Sequence, residues 1–145
     1  MILDDIGKGF IKRQEGFRAH AYPDQGGWSI GYGHRITKAD WYLFASVISK
    51  AKADELFEAD LRWVNAFLNK ELPNLTDRNK YAAIADFLYN IGETKFRTST
   101  MFYLLQRSMW KQAAMEFPRW AHGKNHQVLE VLVSRRKEEQ VIFLK

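Results

Sequence analysis

The sequence predicts an α+β protein, mainly helical, with one short strand-rich segment set among helices. Three observations predict it. Apolar residues recur at three- to four-residue steps through most of the chain, and the stretch at about 17–36 breaks that period with glycine, proline and aromatics in short alternation. No repeat, low-complexity tract or Ser/Gly/Pro linker interrupts the 145 residues. That length, with 46% apolar and 27% charged residues, supplies one sizeable core and excludes a disordered chain.

The elements follow in order. Ile2, Ile6, Phe10 and Ile11 mark a first helix, with Asp4 and Asp5 in its first turn and an end near Glu15-Gly16. From Phe17 to His34, with Gly16 just before it, glycines at 26, 27, 31 and 33 accompany Pro23 and short apolar alternations, the pattern of two or three antiparallel strands. A long helix begins after Ser49, a good N-cap, and runs to Pro73, with Ala53, Leu56, Phe57, Leu61, Val64, Phe67 and Leu68 on one face. Four further helices are expected: Asp77 to Ile91 closed by Gly92, Thr98 to Arg107, Lys111 to Phe117 stopped by Pro118, and Val128 to Phe143.

Composition narrows the function. With no cysteine there is no disulfide framework and no thiolate metal site. The longest apolar runs, Trp41 to Ile48 and Val141 to Leu144, fall far short of the roughly 20 residues of a membrane helix. The acidic opening Met1-Ile2-Leu3-Asp4-Asp5 is unlike a secretory signal, so synthesis in the cytoplasm is expected. Residues 95–145 hold ten Lys/Arg against four Asp/Glu, a bias that suits a polyanionic partner without choosing one. His122 and His126 lack the glutamate of a HExxH zinc site, so no metal is expected.

The segment Glu15 to His34, EGFRAHAYPDQGGWSIGYGH, is hardest to explain as packing alone. Glu15 lies at a helix C-terminus, whose negative end disfavours a second negative charge and favours a protonated carboxyl. Asp24 follows in a Pro-Asp-Gln-Gly-Gly turn, a wetter place where a carboxylate stays ionised. Two carboxyls in contrasting environments suit the acid and base roles of a glycosidase, and Ser29 offers a hydroxyl to hold a water near Asp24. The alternative is that Asp24 and Ser29 are ordinary turn residues and Glu15 a surface residue.

This segment resembles the active-site signature of the phage-type lysozymes, the bacteriophage endolysins of glycoside hydrolase family 24. Glu15-Gly16, Tyr22-Pro23-Asp24 and Ser29-Ile30-Gly31-Tyr32-Gly33-His34 match it in order. Further matches are Asp86-Phe87-Leu88-Tyr89-Asn90-Ile91-Gly92, Ser99-Thr100, Phe117-Pro118-Arg119-Trp120 and Leu132-Val133-Ser134-Arg135-Arg136-Lys137-Glu138-Glu139. Two departures stand out: Ser29 replaces the usual Thr, and the turn after Asp24 is one residue shorter than in longer members.

The resemblance implies a lysozyme-like bilobed fold, with a small sheet lobe at about 17–36, a long joining helix at about 50–70, and a helical lobe at about 70–145 plus the first helix. It implies a single catalytic domain without a separate wall-binding module. The implied reaction is hydrolysis of the β-1,4 bond between N-acetylmuramic acid and N-acetylglucosamine in peptidoglycan. Glu15 would be the general acid, while Asp24 and Ser29 would stabilise charge and position water. Tyr32 and Asn90 are candidate substrate contacts, set against core packing for the first and a helix-end role for the second. His34 has Asp60 as its expected partner, and if they pair the ring should stay charged to higher pH. Arg135 or Arg136 would steady Glu15, unless they form a cationic helix surface paired with Glu138 or Glu139.

No cofactor is implied. Expected partners are peptidoglycan glycan strands, reached from the host cytoplasm through a holin lesion, and an anionic membrane or lipopolysaccharide met by the basic C-terminal helix; purified protein should also act from outside. A monomer is expected and nucleic acid is not. The other readings are a nucleic-acid-binding protein using the basic C-terminal third, which has no base-reading motif, or a wall-binding protein without catalysis.

Overall fold

Asp4 accepts a hydrogen bond from the Gly7 amide at 2.8 Å and so starts α1 (Asp5–Glu15), which ends where the Gly16 amide returns to the Lys12 carbonyl at 2.8 Å. The computed structural model describes all 145 residues, the side chain of Lys124 excepted. After α1 come β1 (Arg18–Asp24), β2 (Gly27–Gly31) and β3 (His34–Arg35), an antiparallel sheet in the order β1-β2-β3. Its register pairs Tyr22 with Ser29, Pro23 with Trp28 and Asp24 with Gly27. Gln25 and Gly26 form the connection at φ 48° and 80°, the doubly positive pattern of a tight hairpin turn whose twist matches the strands.

The chain divides into two units, Gly9–Trp63 and Met1–Lys8 with Val64–Lys145. The division falls inside α1 and inside the long helix α2 (Lys50–Glu71), so Glu15 belongs with the sheet. Within Gly9–Trp63, Ile30, Ile36, Leu43, Ile48 and Ala53 form the core, and Phe17, Ala21, Trp28, Tyr32 and Leu56 pack against it. A 3-10 segment at Lys38–Ala45, which the sequence pattern does not announce, contributes Leu43 to that core. Thr37 and Asp40 brace its start through a capping box. Ser49 caps α2 by accepting from the Lys52 amide at 3.1 Å.

The second unit is helical around α3 (Arg78–Ile91). Asp77 caps it by accepting from the Asn79 and Lys80 amides, and Tyr81 through Leu88 are buried without a break. A helix buried all round is a core element rather than an amphipathic surface one. Around it lie α4 (Glu93–Arg97), α5 (Thr100–Gln106), α6 (Trp110–Ala114) and α7 (Glu130–Phe143). Phe87 meets Phe96, Phe117 and Trp120 edge-on at 5.5–6.0 Å, the arrangement that aromatic quadrupoles favour. No helix among the described residues is long and apolar enough to cross a membrane.

One local expectation changes, at Pro118. The helix expected over 98–107 forms as α5, begun where Ser99 takes the Phe102 amide, and α4 before it is a short helix that the sequence pattern does not announce. Pro118 does not stop a helix; it sits in the first turn of a 3-10 segment at Phe117–Trp120, where a missing N–H costs no hydrogen bond. His122 lies in no helix, and His126 closes a short 3-10 segment at Lys124–His126. His122 bridges Val128, and Asn125 and His126 both have positive φ in the turn between.

Candidate active site

The predicted catalytic residues, Glu15, Asp24 and Ser29, all belong to the unit Gly9–Trp63. Glu15 is half-buried in the last turn of α1. Asp24 is the final residue of β1 rather than part of a loose turn, and Gly27 opposite it holds its backbone in the ladder. Arg35 donates from Nη1 to the Asp24 carbonyl at 2.8 Å, and a Cβ at Gly27 would collide with that guanidinium. The absent side chain is therefore what lets Arg35 brace the turn.

Ser29 is 1% exposed, and its Oγ donates to Asp24 Oδ2 at 3.0 Å. Alternation along the strands puts Tyr22, Asp24 and Ser29 on one sheet face, with Pro23, Trp28 and Ile30 on the other. Tyr22, which the sequence reading used only as part of a motif, lies close to both carboxylates. Burial, with the negative charges of Glu15 and then Asp24, pushes its phenol up to about 12. Tyr22 thus stays a neutral hydroxyl in the site throughout the physiological range. The signal for it was available: it is two positions from Asp24 and therefore on the same face.

Gly33, at φ 78°, passes so near Glu15 that a Cβ there would lie 2.5 Å from the carboxylate Oε1. The close approach and the left-handed backbone both require glycine. Next to it, His34 is gripped at both ring nitrogens, Nδ1 by Asp60 Oδ2 at 2.8 Å and Nε2 by Asp40 Oδ2 at 2.7 Å. Burial works against the ring's charge, but hydrogen bonds to Asp60 and Asp40 outweigh it and hold the pKa above the ordinary histidine value. Asp40, absent from the sequence reading, also accepts from the Thr37 amide at 2.7 Å. Burial works against its charge too, yet these bonds keep its carboxyl below the usual carboxylate range.

Tyr32 is half-buried between Phe17 and Phe57, at ring separations of 5.8 and 6.0 Å, with the Lys12 ammonium 5.0 Å from its centre. Trp28 is likewise half-buried and packs on the core from the face away from Ser29.

In the other unit, Asn90 Oδ1 accepts from Arg136 Nη2 at 2.9 Å. Arg135 forks onto Asp86 through two bonds of 2.9 and 2.7 Å, while Arg136 bonds Glu139 at 2.8 Å and lies over the Phe87 ring. Both arginines, Asp86 and Glu139 are buried. The alternative of an exposed cationic surface is corrected for these two arginines: both guanidiniums are buried, although Arg136 does pair with Glu139 at the expected spacing. Burial, followed by the hydrogen bond to Asp86, raises the Glu139 carboxyl well above its usual range. No group of three or more metal-ligating His, Cys, Asp or Glu side chains occurs among the described residues.

Comparison with known proteins points one way. The family model described as phage lysozyme matches residues 12–139. The chain is 33% identical to the endolysin of Acyrthosiphon pisum secondary endosymbiont phage 1, over 99% of this chain and 98% of that one. It is 34% identical to the endolysin of Salmonella phage P22 over 92% of each. Among solved structures, the endolysin of Escherichia coli O157:H7 phage FAHEc1 superposes with a TM-score of 0.87 at 27% identity, over 100% of this chain and 94% of that one.

Proposed function

The chain belongs to the phage lysozyme family, and from that premise we propose that it is an endolysin cleaving the β-1,4 bond between N-acetylmuramic acid and N-acetylglucosamine in peptidoglycan. As a member it is a glycoside hydrolase of the muramidase type. The bond and the residues that break it are the proposal.

Support comes above all from the Ser29–Asp24 hydrogen bond, beside a tyrosine that senses both Glu15 and Asp24. In the proposed step the protonated Glu15 carboxyl gives its proton to the leaving glycosidic oxygen as the bond to the anomeric carbon breaks. The Asp24 carboxylate steadies the oxocarbenium-like charge and takes a proton from water, whose oxygen bonds to the anomeric carbon. Ser29, its proton committed to Asp24, keeps oxygen lone pairs with which to receive that water. Tyr32 and Asn90 are proposed sugar contacts. Access to the wall is proposed to follow a holin lesion.

Burial of Arg135 and Arg136 removes two of the C-terminal charges on which a nucleic-acid-binding reading rests. Turbidity loss and released muropeptides should be followed on outer-membrane-stripped Gram-negative cells, with Glu15→Gln and Asp24→Asn beside the parent. Lysis yielding reducing N-acetylmuramic acid ends, with Glu15→Gln inactive by at least about a hundredfold, is expected. Anhydro ends, or full activity in a folded Glu15→Gln protein, would overturn the assignment.

A further inference from the structure

Residues 41–48, one of the two longest apolar runs in the chain, are divided by the fold between inside and outside. Leu43 and Ile48 are 1% and 8% exposed, whereas Trp41, Tyr42, Phe44 and Val47 are 53%, 63%, 39% and 69% exposed. The backbone that presents them is fastened at several points. Leu43 sits in the core, Ser46 Oγ donates to the Tyr42 carbonyl at 2.7 Å, and the Ile48 amide donates to the Ala19 carbonyl at 3.0 Å. Trp41 and Phe44 stack with ring centres 5.0 Å apart and planes 4° from parallel, and Phe44 meets Trp28 edge-on at 4.7 Å. Four large apolar side chains held outward within seven positions exceed the scattered apolar residues of an ordinary surface. Because Trp28 and Ser29 are adjacent on β2, this ridge backs the sheet face opposite Ser29 and Asp24.

Sugar and lipid are the two surfaces an aromatic ridge suits, and the polar groups around it choose between them. Sugar sites place free carboxylates or amides beside the rings to bind hydroxyls. From residue 35 to residue 52 the only acid is Asp40, already held by His34 and Thr37, and there is no Asn or Gln. Ser46 is committed to Tyr42, and Ser49 to the Lys52 amide. What does flank the ridge is cationic, Lys38 and Lys50, while Lys52 is paired with Glu55 at 3.3 Å. Aromatics with a polar handle beside lysines are the composition of a bilayer interface.

We propose that Trp41, Tyr42, Phe44 and Val47, with Lys38 and Lys50, form a docking surface for an anionic phospholipid bilayer. Trp41, Tyr42 and Phe44 enter the headgroup region while the ammonium groups meet lipid phosphates. This contact is peripheral and separate from glycan hydrolysis, and it holds the protein at a membrane with the Asp24 and Ser29 face turned from the lipid.

The test is co-sedimentation of the full chain with vesicles containing phosphatidylglycerol and, separately, with vesicles of phosphatidylcholine alone. The parent should partition onto the anionic vesicles and be released as salt shortens the Debye length. Trp41→Ala/Tyr42→Ala and Lys38→Gln/Lys50→Gln should each lower that partition by roughly tenfold or more. Both should hydrolyse purified, membrane-free sacculi at the parental rate. The lysine pair is exposed and keeps the test decisive if the aromatic pair fails to fold. No partition by the parent, or parental partition by the lysine variant, overturns the proposal. Sacculus binding lost in step with Trp41 and Tyr42, without vesicle binding, would make the ridge a glycan platform instead. Vesicles carry no glycan, so failure here leaves the muramidase reading standing, and failure of that reading leaves this result readable.

Discussion

Ser29 Oγ donates to Asp24 Oδ2 at 3.0 Å from a position 1% exposed, so the hydroxyl's one proton is committed and the carboxylate is held in one orientation. In Ser29→Ala both the orientation and the water-receiving oxygen are lost, while the hairpin ladder remains. We expect kcat to fall by about tenfold or more with little change in KM, since only an interaction made at the reacting centre is removed. Ser29→Thr, which restores the hydroxyl, should retain most of the activity. Steady-state kinetics on solubilised peptidoglycan decide it, and equal kcat values for alanine and serine would remove Ser29 from the mechanism.

Gly33→Ala tests the close approach of the hairpin to Glu15. Its methyl would stand 2.5 Å from Oε1 at a φ of 78°, so the carboxyl must move, and the backbone strain costs about 1 kcal/mol in addition. Activity should drop at least about tenfold in a protein whose circular dichroism is unchanged. A parental rate would show that the position of Glu15 is not critical.

His34 links stability to pH with a definite sign. Its folded pKa is raised, so its contribution is complete below the unfolded value of about 6.5 and is lost as pH rises through the folded value. Asp40 has the opposite shift; its contribution is present above the unfolded value and is lost as pH falls through the lowered one. The stability gap between parent and His34→Gln should therefore be widest from about pH 4 to 6.5. There it should reach about 2–3 kcal/mol, the scale of hydrogen bonds to charged groups. Urea unfolding across pH measures it, and a gap that does not narrow above neutrality would mean the ring is not held charged.

Asp86→Asn leaves Arg135 in a buried site with its fork half-answered and should cost about 3–5 kcal/mol in unfolding free energy. The double change Asp86→Leu/Arg135→Met, which removes both charges, should cost less than the sum of the single ones. Additive losses would place the two side chains in separate energetic roles.

Much of the frame was legible because its signals are local. Ser49 and Asp77 announce their helices by the same short side chains that take the first free amides, and the glycines and Pro23 announce the hairpin. Segment 38–45 was not legible, since one buried residue, Leu43, among outward aromatics follows neither a helical nor a strand period. Arg135 and Arg136 misled for a different reason. A run of basic residues reads as surface unless its counter-charges are known, and Asp86 lies 49 positions upstream. Glu15, Asp24 and Ser29 could be named as candidates from spacing and resemblance, but the neutral Tyr22 and the second grip of Asp40 on His34 emerge only once strand register and the 3-10 segment are in place.

That same distance from Asp86 to Arg135 bears on the order of synthesis. A nascent chain emerges N-terminus first, and domains complete themselves as their last residues leave the ribosome. All of Gly9–Trp63, including Glu15, Asp24, Ser29 and the His34 clamp, has emerged while α7 is still untranslated. Asp86 must then wait for Arg135, and until it arrives α3 carries a carboxylate that the finished core admits only beside its guanidinium. The residues of the unit holding Glu15 are thus all present before those that close its companion, so the Asp86–Arg135 pair is among the last contacts of the chain to form.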